Sequence, residues 1–119
     1  MGTIAALAVG LVAVLHLYFL TLEMFLWKKP FGRKTFGLTP ELAEATASLA
    51  ANQGLYNGFL AAGLIWGLYL GAAGLSIKVF FLVCVVIAGV FGAATANRKI
   101  LWVQAVPGAI ALVLVLLAR

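Results

Sequence analysis

Long apolar stretches recur along the whole sequence, separated only by short segments that carry glycine, proline or basic residues. Hydrophobic residues fill 66% of the 119 positions and charged residues only 9%, whereas about a quarter of the residues of a soluble domain are charged. So few charged side chains could not cover the surface around a hydrophobic core in water. The sequence therefore predicts an all-α integral membrane protein, with residues 1–119 forming a single domain.

Four apolar segments reach, or come within a residue or two of, the roughly 20 residues that a helix needs to cross a bilayer. The predicted spans of this antiparallel four-helix bundle are residues 3–27, 47–70, 77–97 and 100–118. The second helix is predicted to begin before its span, with Thr39 as the N-cap, Pro40 at the first helical position and Glu41 in the first turn.

Six of the eight basic residues lie in the first and third connections, at Lys28, Lys29, Arg33, Lys34, Arg98 and Lys99. The positive-inside rule places these two loops in the cytoplasm and both chain termini on the other side. We therefore expect a multi-pass protein of a bacterial inner or plasma membrane. Basic residues beside membrane spans fit anionic lipid headgroups. The sequence has no basic stripe interleaved with aromatic residues, which excludes nucleic acid as a partner.

Two ionisable residues lie inside the first predicted span. His16 and Glu23 are seven residues apart and share one helix face. Charged groups within a membrane are costly and usually face a protein interior or a water-filled cavity. We hypothesise that His16 and Glu23 face a cavity open to the cytoplasm, and a buried hydrogen-bond network is the alternative.

Amide side chains of the second and fourth predicted helices lie at similar depths. At a rise of 1.5 Å per residue, Asn52 and Gln53 match the depth of Glu23, and Asn57 matches that of His16. Gln104 lies one turn inside the cytoplasmic boundary on the fourth helix. These amides are predicted to line the cavity, although interhelical hydrogen bonds are the alternative explanation for Asn52, Gln53 and Asn57 as well as for Gln104. The proline at position 107 should free the backbone carbonyl of Val103.

Three classes of function fit these residues. The first is binding or transport of a small polar solute, a proton or a metal ion at the predicted cavity. The second is an enzyme on a lipid-soluble or thiol substrate, with His16 or Glu23 as general base. The third is a structural or assembly subunit, which the glycine-rich helix faces favour. The same faces are also compatible with a homo-oligomer.

No metal centre, cofactor or disulfide is predicted. One histidine and one glutamate fall short of the three or four ligands of a zinc site, and no cofactor motif is present. Cys84 is the only cysteine of the chain.

Four segments of the sequence resemble a known family. "HLYFLTLEMFLW", "F-x-L-T-P-E", "ANQGLYNGFLAAGL" and "VQAVPGAIAL" are similar to segments of the small bacterial and fungal membrane proteins grouped as domain of unknown function 1304. The resemblance covers nearly the whole chain. It implies a four-span protein of about this length, and it brings no activity, substrate or catalytic residue.

A more distant resemblance is to the membrane-associated eicosanoid and glutathione proteins, which are trimeric four-helix bundles with a glutathione site near the cytoplasmic side. An acid on the first helix and an asparagine on the second fit that family. Its second-helix pattern, R-x-x-x-N-x-x-E, is not preserved. Ser48 stands in place of the arginine and Leu55 in place of the glutamate, on either side of Asn52.

Overall fold

The computed structural model describes residues Gly2–Arg119, and its regular secondary structure is all helical. The α-helices are α1 (Gly2–Met24), α2 (Pro30–Phe36), α3 (Pro40–Tyr69), α4 (Leu75–Thr95) and α5 (Val106–Ala118). A 3₁₀ turn joins α3 to α4 at Gly71–Gly74, and a π-helical turn at Leu101–Ala105 leads into α5. The predicted all-α class is confirmed.

Within the described residues, three helical segments are long and apolar enough to cross a membrane: Gly2–Met24, Gly71–Thr95 and Leu101–Ala118. They are compatible with a multi-pass membrane protein and correspond to the first, third and fourth predicted spans. Helix α3 has 30 residues, but its two carboxylates and three amides make it less apolar than the others. Four spans in an antiparallel bundle, with both termini outside, stay predictions.

One compact unit comprises residues 2–15 and 60–119. Its core consists of small and branched apolar side chains: Ala5, Val9, Val12, Ala13, Leu64, Leu82, Val85, Ala111 and Val115. Packing is close where α4 meets the π-helical turn. A Cβ atom placed on Gly89 would lie 2.7 Å from the backbone nitrogen of Ala105. Glycine therefore allows two backbones to come together without a side chain between them.

The π-helical turn lies directly before a proline. The N–H of Val106 donates to the carbonyl of Leu101, five residues back, instead of four. Pro107 has no N–H to give to the carbonyl of Val103, so the regular bonding pattern is already interrupted here. The sequence pattern anticipated the interruption but not the wider turn, in which Gln104 lies.

The second compact unit is His16–Phe59. It contains the end of α1, all of α2 and the first part of α3. The hydroxyl of Thr39 accepts the N–H of Leu42 at 3.1 Å, and α3 begins at Pro40. The predicted N-cap is therefore confirmed.

Helix α2 occupies the first connection, which the sequence predicted to be a loop. It has proline at its start, at Pro30, and ends where Gly37 adopts a φ of 65°. The N–H of Leu38 then donates to the carbonyl of Arg33 at 2.8 Å. Proline at the first position and left-handed glycine after the last are a general helix signature. This signal was present in the sequence.

Candidate functional site

Two glycines let α3 approach the end of α1 within the unit His16–Phe59. A Cβ atom on Gly54 would lie 2.7 Å from Cγ of Met24 and 3.1 Å from Cβ of Glu23. A Cβ atom on Gly58 would lie 2.7 Å from Cδ1 of Leu20. Gly54, Asn57 and Gly58 are spaced i, i+3 and i+4, so they share one face of α3. The two glycines thereby bring the asparagine between them close to α1.

The central contact of the site is between Glu23 and Asn57. The side-chain Nδ2 of Asn57 donates a hydrogen bond to Oε1 of Glu23 at 2.5 Å. Asn57 is 5% exposed, and Glu23 is partly buried. A hydrogen bond to an ionised carboxylate is roughly twice as strong as one between neutral groups. The amide therefore stabilises a carboxylate that belongs to one of the three apolar segments.

The register of this contact differs from the prediction by about one helical turn. The depth argument matched Asn52 and Gln53 with Glu23, and Asn57 with His16. Helix α1 instead ends at Met24, three residues before the predicted end of its span at Trp27, and Gly54 packs against that end. The apolar run extends beyond the helix, so its length misplaced the boundary.

Asn52 and Gln53 are both exposed. Successive residues of an α-helix are about 100° apart, so Gln53 lies to one side of the face centred on Gly54. Asn52 lies almost opposite that face. The structure thus brings Asn57 to Glu23 and leaves these two amides on the outside of α3. Their role as ligands stays a prediction.

His16 is fully buried. Its ring meets the ring of Phe19 edge-on, with centroids 5.2 Å apart. Seven residues of α-helix place His16 about 10.5 Å from Glu23 along the axis, whereas the hydrogen bond of Glu23 is with Asn57. His16 is therefore surrounded in the manner of a core histidine, and its role as a ligand stays a prediction.

Gln104 belongs to the other compact unit, where it lies in the π-helical turn. Its Nε2 donates to the backbone carbonyl of Val85 in α4 at 3.2 Å. A side-chain amide that bonds to a neighbouring helix in this way links the two helices. This contact matches the alternative interpretation of Gln104 as an interhelical hydrogen bond. The role of Gln104 as a ligand contact stays a prediction.

The basic residues next to α1 do not neutralise Glu23. Nζ of Lys28 pairs instead with Oε2 of Glu44 at 3.5 Å, and both side chains are more than half exposed. The indole N–H of Trp27 donates to the hydroxyl of Thr46 at 3.0 Å. These two contacts connect the end of α1 to the first turns of α3. Among the described residues, the Lys28–Glu44 contact is the one ion pair.

The Glu23–Asn57 arrangement can accept a ligand that donates hydrogen bonds or carries positive charge. An ionised carboxylate has about four lone-pair sites, and the amide of Asn57 uses one of them. The described residues contain no group of three or more His, Cys, Asp or Glu side chains that could hold a metal ion.

A family model described as "Protein of unknown function (DUF1304)" matches residues 10–116. The chain belongs to the DUF1304 family. The match covers both halves of the Glu23–Asn57 contact and confirms the resemblance found in the sequence. The DUF1304 chain is also 31% identical over 96 residues to "Uncharacterized protein YpaA" of Lactococcus lactis subsp. lactis (strain IL1403). The aligned region covers 79% of this chain and 81% of that protein. No solved structure matches.

Sequence reasoning did not identify which of the three α3 amides meets Glu23 in this DUF1304 protein. The sequence feature that distinguishes Asn57 is the pair of glycines on either side of it. Gly54 and Gly58 remove the side chains that would separate α3 from α1, and Asn57 is the amide on their face. Asn52 and Gln53 have no such flanking pair.

Proposed function

We propose that this DUF1304 protein crosses the membrane four times, with α3 as the second span. The 30 residues of α3 measure about 45 Å along the axis, more than a hydrocarbon core of roughly 30 Å. Its lower apolar character is accounted for by amides, one of which is engaged with Glu23. The basic loops are proposed to face the cytoplasm of a bacterial cell, with both chain termini outside.

The proposed function is binding or transport of a small polar solute or ion at a site that includes Glu23 and Asn57. Glu23 supplies the charge, and Asn57 fixes the orientation of the carboxylate. His16, Asn52 and Gln53 are proposed as further contacts to a ligand in transit, and Gln104 is proposed as the hydrogen bond that links the π-helical turn to α4. The site is proposed to open toward the basic loops.

One observation carries this proposal: the carboxylate of Glu23, in an apolar segment, is held by an amide and not by a cation. A buried ion pair would satisfy both of its charges internally. A single amide donor, unlike a cation, adds no positive charge and occupies only one of the acceptor sites of a carboxylate. Such intramembrane acids generally mark pathways of ions, protons or polar solutes.

Ion flux into proteoliposomes tests this function. The purified protein is reconstituted, and fluorescent indicators report the entry of protons, Na⁺, K⁺ and Mg²⁺ under an imposed gradient. Glu23→Gln removes the charge but keeps an oxygen that accepts from Asn57. Glu41→Gln is the matched control, since Glu41 is an exposed carboxylate in the first turn of α3.

We expect flux of at least one of these ions above that of empty liposomes, a loss of tenfold or more in Glu23→Gln, and no change in Glu41→Gln. Equal flux in wild type and Glu23→Gln would contradict a role for Glu23 in ion transport. Absence of all four fluxes would contradict ion transport itself, and a structural role would then be the better account of the Glu23–Asn57 contact.

A further inference from the structure

One face of α3 carries polar side chains on the side away from α1. Ser48, Asn52 and Tyr56 follow one another at intervals of four residues, so they form a stripe along the helix, and all three are exposed. Asn52 lies almost opposite Gly54, which packs against Glu23 at the end of α1. Ser48, Asn52 and Tyr56 are called the outer face of α3 below.

The depth of the outer face follows from a contact near the start of α3. The indole N–H of Trp27 donates to the hydroxyl of Thr46 at 3.0 Å, and tryptophan is enriched where a membrane meets water. At 1.5 Å per residue, Asn52 lies about 9 Å and Tyr56 about 15 Å further along α3 than Thr46. Half of a hydrocarbon core measures roughly 15 Å. With α3 as the second span, the proposal on which this inference rests, Asn52 faces acyl chains unless another protein covers it.

The amide of Asn52 is not satisfied by its own chain. Asn57 donates to Glu23, and Gln104 donates to the backbone of α4, but within the described residues no side-chain hydrogen bond involves Asn52. An amide without a partner in an apolar environment is costly, and acyl chains offer neither donors nor acceptors. The side chain of asparagine is also too short to reach the headgroups from a depth of about 9 Å. Another protein chain must therefore supply the partner.

The chemistry of the outer face matches a second copy of the same chain. A side-chain amide both donates and accepts hydrogen bonds, so two Asn52 side chains can satisfy each other. The hydroxyls of Ser48 and Tyr56 likewise have both capacities. Residues 45–77 contain no charged side chain, so this part of α3 offers nothing to a partner of opposite charge. A face that is neutral and complementary to itself fits a symmetric contact between identical copies.

We propose that a second copy of this chain packs on the outer face of α3, with Asn52 hydrogen-bonded to the partner's Asn52. A symmetry axis beside α3 brings the same residue of each copy together, and the small side chain of Ser48, one turn away, lets the two helices approach closely. Gly54 and Gly58 are not part of this interface, because they pack against α1. The pair of amides uses one donor and one acceptor of each side chain, and the remaining capacity is available to a ligand in transit.

Energy transfer between copies in liposomes tests the interface. The full chain carries Cys84→Ala and Lys34→Cys, and separate samples are labelled at position 34 with a donor dye or an acceptor dye. The two samples are reconstituted together at increasing lipid-to-protein ratios, which gives an association constant in the bilayer. The test variant is Asn52→Leu, which removes the amide. Asn52→Gln is the matched control, because it keeps both the donor and the acceptor.

The protein with an unchanged outer face is expected to associate, and Asn52→Leu should lower the association constant about tenfold or more. Asn52→Gln should lower it by less than about threefold. Since Asn52 is exposed, neither substitution should disturb the fold of the single chain. Energy transfer no greater than that of randomly distributed monomers would overturn the proposal. Equal association constants for Asn52→Leu and the unchanged protein would also overturn it, because the copies would then meet through another face.

Disulfide cross-linking identifies the occupant of the outer face. Ser48→Cys, in a Cys84→Ala background, changes little more than one atom and keeps Asn52, and Ala94→Cys is the control at an exposed position of α4. Oxidation in membranes of cells that express the full chain should give a product of twice the mass of the chain for Ser48→Cys alone. Equal cross-linking of the two variants would indicate random collisions and overturn the proposal. A product of any other mass would show a different protein on this face and would also overturn it.

A labelling experiment separates failure of the interface from failure of the proposed second span. Lys34→Cys and Ala73→Cys, each in the Cys84→Ala background, are exposed positions before and after α3. If α3 crosses the membrane, a membrane-impermeant maleimide should modify them from opposite sides of sealed vesicles. Modification of both from one side would contradict the span and overturn the interface with it. Modification from opposite sides, together with no association, would overturn the interface alone and leave the proposed function standing.

Discussion

Asn57 donates a hydrogen bond to Glu23 at a point where two glycines bring α3 against the end of α1. The contact joins residues that are 34 positions apart in the sequence. It gives the carboxylate a fixed orientation and one hydrogen-bond donor without cancelling its charge. The functional proposal and the first prediction below both follow from this combination.

The first prediction concerns the strength of the Glu23–Asn57 contact. A double-mutant cycle with Glu23→Leu and Asn57→Leu should give a coupling free energy of about 0.6 to 2 kcal/mol, the range of polar contacts between membrane helices. Unfolding of the purified protein by denaturing detergent measures it. The control cycle pairs Asn57→Leu with Glu41→Leu and should show no coupling. Coupling within error of zero for the first cycle would mean that the contact contributes nothing to the fold.

The second prediction concerns close packing at Gly89. Gly89→Ala should lower the free energy of unfolding by about 1 to 3 kcal/mol, because the new methyl group meets the backbone of Ala105 and not a movable side chain. Gly10→Ala is the matched control in a helix, where a Cβ atom has nothing within 4 Å. It should be neutral or slightly stabilising. Equal effects of the two substitutions would argue against the close approach of α4 and the π-helical turn.

The third prediction concerns Gln104. Since its amide already donates to the carbonyl of Val85, Gln104→Leu should lower the free energy of unfolding by about 0.6 kcal/mol and leave ion flux unchanged. Gln104→Glu is the companion variant, because it keeps the length of the side chain but removes the N–H donor. A loss of flux in Gln104→Leu at unchanged stability would instead place Gln104 in the ligand site.

The fourth prediction concerns the start of α3. Thr39→Ala removes the hydroxyl that accepts the N–H of Leu42, and it should cost about 1 kcal/mol of stability. Thr35→Ala is the control, because the hydroxyl of Thr35 bonds to the carbonyl of Phe31 within a helix, a contact that adds little. Hydrogen exchange of the first turn of α3 should rise in Thr39→Ala alone. Faster exchange in both variants would show that the cap is not the cause.

Features that depend on local pattern could be predicted from the sequence. The cap at Thr39 and the start at Pro40 follow from residue type, and the apolar segments follow from composition. The end of α1 at Met24 could not be found in this way, because the apolar run continues to Trp27. Beyond this end, Trp27 and Lys28 contact α3 through Thr46 and Glu44, and contacts between distant residues are not visible in a local apolar pattern.

The candidate site was predictable in its residue types but not in its pairing. Depth along a helix separates residues by 1.5 Å each, so a boundary wrong by three or four residues moves every match by one turn. The direction in which each side chain points also mattered. Gln53 and Asn57 are four residues apart on α3, yet Gln53 is exposed and Asn57 is buried. The π-helical turn was likewise missed, because a proline predicts a broken bond and not the way in which the helix accommodates it.

The most direct test of the central claim is whether water-soluble reagents reach position 23. Cysteine is introduced as Glu23→Cys in a Cys84→Ala background, and the protein in sealed vesicles is treated with a membrane-impermeant cationic methanethiosulfonate. Lys34→Cys serves as the exposed reference, and Leu64→Cys, at a fully buried position, serves as the sealed one. We predict that Glu23→Cys reacts from the side on which Lys34→Cys reacts, within about tenfold of its rate, which corresponds to 1.4 kcal/mol. Reactivity no greater than that of Leu64→Cys from either side would contradict a ligand site and leave Glu23 and Asn57 as a sealed structural pair.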